Sequence, residues 1–345
     1  MMMKKIFKFN IMKFIIPILL AFLVGSIILL ISNINPISAF YNLFIGAFGS
    51  GRAFLSTLYY ATPLILTGTA TAIAFKANLF YMGVEGALYI GGFCSSLAGI
   101  YFHGFPPYIH IPIALLIGMI TGGLFAMIPG ILKGILDVNE MVTSIMLNYV
   151  AILGTTYLAS FPFKAKDAGF SATEMVEKSA VIPKIFDSSM VHYGLFLSLI
   201  FAILIYIMFK KSTFGYDIES MGKNVSFSES CGMQTAKKTI YIITLSGALG
   251  GLAGAMEVLG TYKRFIAGFS SGLGWDGLTI SLLSNNNPIG VIFSSIFFGG
   301  LYSGGAQMEL LADVPRTIIS VIQGLIIFFL AVDFTVKRFK KIKSR

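Results

Sequence analysis

The chain has 345 residues, 56% hydrophobic and 12% charged, where an ordinary soluble domain is about 45–50% apolar and about 25% charged. That composition excludes a soluble enzyme and a disordered chain. A net charge of +10 on so apolar a sequence fits cytoplasmic loops facing anionic lipid and not a nucleic-acid partner.

A bilayer-crossing helix takes about 20 apolar residues, so ten crossings would use roughly 200 and leave short loops. The first apolar run, Phe14 to Ile31, follows Lys4, Lys5, Lys8 and Lys13; it exceeds the about 7–15 residues of a signal-peptide core and reads as a span. Further spans are expected at 54–75, 79–102, 111–132, 141–161, 191–209 and 239–260. A region at 276–303 is broken by Asn285-Asn286-Asn287-Pro288 into two short spans, and 316–334 completes ten. The expected fold is all-α and polytopic, one transmembrane domain over 1–345. With the amino terminus inside, 17 of the 25 basic residues fall in cytoplasmic segments, including Lys76, Lys133, Lys210, Lys211, Lys223, Lys237, Lys238 and the tail from Lys337 to Arg345. Both termini are therefore expected in the cytoplasm, which requires an even number of crossings, and ten satisfies it.

An internal repeat is visible at an offset of 176, where 137–146 (DVNEMVTSIM) aligns with 313–322 (DVPRTIISVI). Pro112-Ile113 with Gly122-Gly123-Leu124 matches Pro288-Ile289 with Gly299-Gly300-Leu301, and Glu85-Gly86 echoes Asp276-Gly277. The expectation is two inverted five-helix repeats, at about 14–161 and 191–334, joined by an outer loop at 162–190. Chance similarity between apolar helices is the competing explanation. Inverted repeats place interrupted helices near the bilayer midplane, and the expected interruptions are Tyr81 to Gly86 and Gly272 to Pro288. A carboxylate at a helix centre costs about 2.5–3.5 kcal/mol on insertion scales, so Glu85 and Asp276 either line a path or cap a half-helix. Glycines four apart, Gly118/Gly122, Gly247/Gly251, Gly250/Gly254 and Gly300/Gly304, point to close helix packing.

No nucleotide-binding GxxxxGK[ST] loop is present, His103, His110 and His192 have no HExxH spacing, and there is no GxSxG elbow. Cys94 and Cys231 belong to no CxxC or Cys/His cluster. No enzyme, cofactor or metal is expected. The predicted cytoplasmic loop Lys210 to Lys238 is too long for a simple turn; it reads as one or two short helices that dock a partner, or as a solvated connector.

Four segments carry a resemblance: Phe75 to Gly86 (FKANLFYMGVEG), Asn139 to Tyr149 (NEMVTSIMLNY), the 214–233 loop, and Gly274-Trp275-Asp276-Gly277 through Asn286-Asn287-Pro288-Ile289-Gly290. Together they resemble permease subunits of bacterial ABC importers for simple sugars, nucleosides and, more distantly, branched-chain amino acids. The likeness runs from about 55 to 335 and is nearest to the longer nucleoside permease, whose extended outer loop the 162–190 segment matches. It implies a multi-pass protein of the bacterial cytoplasmic membrane. The implied partners are an ATP-binding cassette subunit, a second and shorter permease, and an extracytoplasmic substrate-binding protein. It also implies that the 210–238 loop couples to the ATPase, through Gly215, Gly222, Asn224, Phe227, Ser228 and Gly232. Tyr81, Glu85, Asn148, Trp275 and Asp276 are the candidates for the substrate path, with Asn148 alternatively an interhelical hydrogen-bond group. Tyr81 stands where the family usually has Asn, Ala87 where it has Gln, and Phe227-Ser228 where it has Ala-Ala. The rival readings are a permease for ribose-type sugars and an ion-coupled carrier that titrates Glu85, Glu257 or Asp276.

Overall fold

The computed structural model describes residues 11–186 and 189–312, and beyond these 314, 315, 317, 318, 320–322, 324–326, 328 and 329. Lys4, Lys5, Lys8, Asp187, the aligned Asp313, Arg316 and Ile319, and the tail from 330 onward lie outside the described residues. In chain order the helices are α1 (Ile11–Ile31), α2 (Pro36–Phe48), α3 (Gly51–Lys76), α4 (Val84–Tyr101), α5 (Pro107–Leu136), α6 (Glu140–Ser160), α7 (Gly194–Lys211), α8 (Thr213–Lys223), α9 (Val225–Ser230), α10 (Thr235–Glu257), α11 (Leu273–Leu283) and α12 (Pro288–Ala312). A π-helical turn, Val258–Tyr262, extends α10. Among the described residues, six helices are long and apolar enough to cross a membrane: α3, α5, α6, α7, α10 with its π turn, and α12.

Local chemistry sets the boundaries. Asn35 caps α2 by accepting from the Ile37 N–H ahead of Pro36, Asn139 caps α6, and Ser212 and Asn224 cap α8 and α9. Three expectations are corrected. Helix α2 was not expected, because 13 residues fall short of a span; it buries Ala39, Leu43, Gly46 and Ala47 and exposes Ile37, Tyr41 and Phe44. The first interruption lies earlier, at 77–83, so Glu85 and Gly86 belong to the first turn of α4. The second is two separate interruptions, at 263–272 and 284–287, with α11 between them.

The chain forms two units, one of the described parts of 1–57 and 297–345 and one of 58–296. In the first, Leu29, Leu43, Leu301 and Met308 are core residues, and Gly304 lets α12 lie against the Leu43 carbonyl. In the second, α10 is the central helix: 89% of its spanning window is buried, against 22% for α6. Glycine makes that possible. A Cβ on Gly251 would collide with the Gly118 carbonyl and with Gly122, one on Gly254 with the Leu88 carbonyl, and one on Gly247 with Ala126. The four-residue glycine spacing therefore brings the backbones of α4, α5 and α10 together, where apolar side chains alone would give no preference over lipid.

The segment between α6 and α7 is fixed to this core. Ala172 pairs antiparallel with Ile266, the N–H groups of Thr173 and Val176 donate to the carbonyls of Phe265 and Lys263, and Glu177 N–H donates to Gly99 O. Where the segment returns to α7, His192 Nδ1 accepts from Gly194 N–H at 3.1 Å, with the ring packed on Gly260.

Candidate functional site

Helix α6 presents Glu140, Ser144 and Asn148 one turn apart, and this stripe holds the broken backbone before α4. Phe80 N–H donates to Glu140 Oε1 (3.1 Å), Met82 N–H to Ser144 Oγ (3.1 Å) and Gly86 N–H to Asn148 Oδ1 (2.8 Å), while Asn148 Nδ2 donates to Met82 O (2.9 Å). Backbone groups in a break need partners when water is excluded, and these side chains supply them. Asn148 is thus an interhelical hydrogen-bond group, 2% exposed. Glu140 is itself paired with Lys133 at 3.4 Å.

The break delivers the first turn of α4 against the first turn of α11. Gly274 lies directly on the Glu85 backbone, where no side chain would fit. Glu85 Oε2 accepts from Gly274 N–H at 2.6 Å and its Oε1 from Ser270 Oγ at 2.7 Å. Two helix amino termini, each with a partial positive charge, therefore meet on one carboxylate. Ser270 Oγ in turn accepts from Leu273 N–H at 3.1 Å.

Beside this junction lies an aromatic cluster, with Tyr89, Phe265 and Phe269 buried. Tyr89 donates to Ser270 O (3.2 Å) and stacks obliquely on Phe269 at 5.0 Å, and Phe269 meets Tyr262 at 6.1 Å and Phe265 at 5.4 Å. At its far end stand Glu257 and Thr261, with Tyr59 beside both. Among the expected path residues, Glu85 and Asn148 share this neighbourhood as supports. Tyr81 is fully buried with its ring against Gly83 and its hydroxyl unpartnered. Trp275 is 39% exposed and Asp276 half-buried, both in the first turn of α11. Glu140 and Ser144 were not expected at the site; the repeated spacing of four, from Glu140 to Ser144 to Asn148, is the signal that could have found them.

The expected coupling loop folds into α8 and α9. Asp217 pairs with Lys238 of α10 at 2.6 Å, Thr235 donates to Glu229 at 2.6 Å, and Gly222 packs on the Lys76 carbonyl at the end of α3. Gly215 fits against the Met208 carbonyl, Asn224 accepts from Phe227 N–H at 3.0 Å, and Gly232 turns the chain at φ +81°. Ser228 is buried and meets Ser220 at 3.0 Å, and the exposed large hydrophobic residues of the corner are Tyr216, Val225 and Phe227, the last 60% exposed, among exposed polar residues such as Lys223, Ser226 and Glu229. Among the described residues no group of three His, Cys, Asp or Glu is placed to hold a metal ion.

A profile of the family described as branched-chain amino acid transport system / permease component matches residues 53–331. The guanosine ABC transporter permease protein NupP of Bacillus subtilis is 34% identical over 94% of this chain and 93% of its own length. The nucleoside ABC transporter permease protein NupB of Lactococcus lactis is 33% identical over 94% and 91%. The glucose ABC transporter permease protein TsgB13 of Haloferax volcanii is 28% identical over 94% and 88%. Among solved structures, one described as an inward-facing conformation of a metal-chelate type ABC transporter aligns over 88% of this chain and 97% of its own at 17% identity and a TM-score of 0.45.

Proposed function

The chain belongs to the family of branched-chain amino acid transport system permease components, and we propose that it forms the substrate path of an ATP-driven importer of nucleosides. The observation that carries this reading is near end-to-end identity of 33–34% with two nucleoside permeases, against 28% with the glucose permease. The α8–α9 corner supports an external ATPase as the energy source, because its outward Tyr216, Val225 and Phe227 are apolar residues on a polar element fixed to the core. The assembly contains an ATP-binding subunit, a second, shorter permease and an extracytoplasmic binding protein, in the bacterial cytoplasmic membrane with both termini inside. The outward side chains of α8–α9 are the ATPase contact.

The path runs between two inverted five-helix repeats, ten crossings in all. Three packings within 58–296 support the inversion, with α3, α4 and α5 as mates of α10, α11 and α12. The α10 glycines Gly250 and Gly254 pack on α4, and in the exchanged pair Gly277 of α11 packs on Thr67 of α3. Helix α5 packs on α10 through Gly122 and Gly251, and Val291 of α12 packs on Gly68 of α3. Ser246 donates to the Ala70 carbonyl at 2.7 Å; these two residues are mates at the offset of 176, and mates that touch lie on the symmetry axis. The head-to-head meeting of α4 and α11 lies on the same axis, which is where inverted-repeat transporters keep their substrate.

The test is uptake of labelled guanosine, uridine and ribose by cells carrying this chain with its co-encoded partners, against cells whose ATPase cannot hydrolyse ATP. Nucleoside uptake that vanishes with the inactive ATPase is the expected result. Uptake that survives would show an ion-driven carrier, and ATP-dependent uptake of ribose alone would move the substrate to the sugars.

A further inference from the structure

Two buried carboxylates stand at the ends of the aromatic cluster, and their hydrogen bonding differs. Glu85 has both oxygens satisfied by Ser270 and Gly274. Glu257, at the end of α10 and 6% exposed, has an Oε2 with no hydrogen bond. One turn on, the buried hydroxyl of Thr261 lies beside both that carboxylate and Tyr59 without a well-formed hydrogen bond to either. Leaving a buried polar atom unpartnered costs about 1–3 kcal/mol; the buried hydroxyls of Tyr81, Thr244, Ser294 and Ser295 are left so as well, but among the described residues Glu257 is the one carboxylate left so, and that calls for a functional cause. Glu257 and Thr261 flank the start of a π-helical turn, an irregularity frequent at functional sites.

The surroundings say what would satisfy them. Tyr59 lies beside Glu257 and Thr261, and its ring meets Tyr60 at 4.9 Å. Tyr262 lies beside Glu257 and Tyr60, and its ring leads through Phe269 to Tyr89 and so to Glu85. A free carboxylate oxygen accepts hydrogen bonds, and aromatic faces take a flat ring. A simple sugar offers hydroxyl donors and no flat ring, whereas a guanine-type base offers a ring N–H and an amino group on one edge and two π-faces.

We propose that Glu257 is the substrate contact inside the path, accepting the N–H edge of a purine nucleoside's base, with Thr261 hydrogen-bonding the same ligand and the Tyr59, Tyr60 and Tyr262 rings along its faces. Glu85 is then a positioning residue that joins α4 to α11. The proposal rests on the nucleoside reading above and specifies the contact it requires.

The full complex in proteoliposomes tests it. Glu257→Gln keeps the shape but turns part of the acceptor edge into an N–H donor facing the donors of the base. ATP-dependent guanosine uptake is expected to fall about tenfold or more, with subunit composition and melting midpoint unchanged. In a background of Cys94→Ala and Cys231→Ala, the thiol introduced by Glu257→Cys should react with a small methanethiosulfonate during ATP turnover, and saturating guanosine should slow that reaction about tenfold. Wild-type uptake in the Glu257→Gln complex overturns the assignment. If that variant fails to assemble, the thiol decides, and a thiol that never reacts, or that guanosine does not protect, overturns it equally. A wild-type complex that imports ribose and no nucleoside defeats the proposed function and the base contact together, a result seen before any variant is made.

Discussion

Asn148 makes two of the hydrogen bonds that hold the break before α4, accepting from Gly86 and donating to Met82. Asn148→Ala leaves a buried N–H and a carbonyl unpaired, and should lower unfolding free energy by about 2–4 kcal/mol. Ser144→Ala, which loses the single bond to Met82, should cost about half as much or less, and denaturant unfolding of the purified protein measures both. His192 gives a pH dependence. Burial pushes its imidazole down to about 4, from an ordinary value of about 6.5, so the folded chain keeps the ring neutral where the unfolded chain protonates it. The contribution is full above about pH 6.5 and is lost as pH falls toward about 4, up to about 3 kcal/mol. Protonation also removes the lone pair that accepts from Gly194. His192→Gln should flatten melting midpoint against pH between about 4 and 6.5; an unchanged slope would mean that another group carries it. Asn148 was visible in the sequence because a buried amide in an apolar run stands out. His192 was not, since nothing in its neighbours announces that Gly260, far along the chain, packs on its ring.

Between elements, glycine decides which helices touch. A methyl at Gly251 has nowhere to go, since backbone atoms of Gly118 and Gly122 already occupy the space. Gly251→Ala should therefore destabilise by about 2 kcal/mol or more, whereas Gly154→Ala, on α6 with nothing within 4 Å, should be neutral or gain up to about 1 kcal/mol from helix propensity. A melt in detergent compares them. The four-residue spacing announced close packing in both units, yet it did not reveal which helix each glycine meets, because spacing fixes a face and not its partner. Helix α2 and the position of the first break were illegible for a related reason. A short half-exposed helix carries no spanning signal, and Asn78 to Gly83 is apolar enough to pass for helix until the hydrogen bonds from α6 are known. The second break was legible because Asn285-Asn286-Asn287-Pro288 places two positive-φ residues, Asn285 and Asn286, ahead of a proline.

Across the whole molecule, the proposed path and its proposed drive meet at α3 and α10. The α8–α9 corner touches the carboxyl end of α3, through Gly222 on the Lys76 carbonyl, and the amino end of α10, through Asp217 with Lys238 and Glu229 with Thr235. These two helices meet again deeper, at Ser246 and Ala70, before α10 reaches Glu257. A displacement of the corner therefore acts on both helices at one end, with the Ser246–Ala70 hydrogen bond a fixed point between them deeper in, and a connector without that rigidity would transmit nothing. The sequence pattern pointed to a coupling loop only through family likeness; its rigidity depends on Lys238 reaching Asp217 across 21 residues, a distance that no local pattern encodes. Replacing residues 222–232 with a Gly/Ser linker of equal length should leave the helices folded, as circular dichroism would report, and reduce ATP-dependent uptake to background. Phe227→Ala, which only trims the outward surface, should lower uptake by severalfold while the corner stays packed. If uptake instead persists with the linker in place, force enters this chain elsewhere, and an ion gradient acting at a membrane carboxylate becomes the better account of how it moves its substrate.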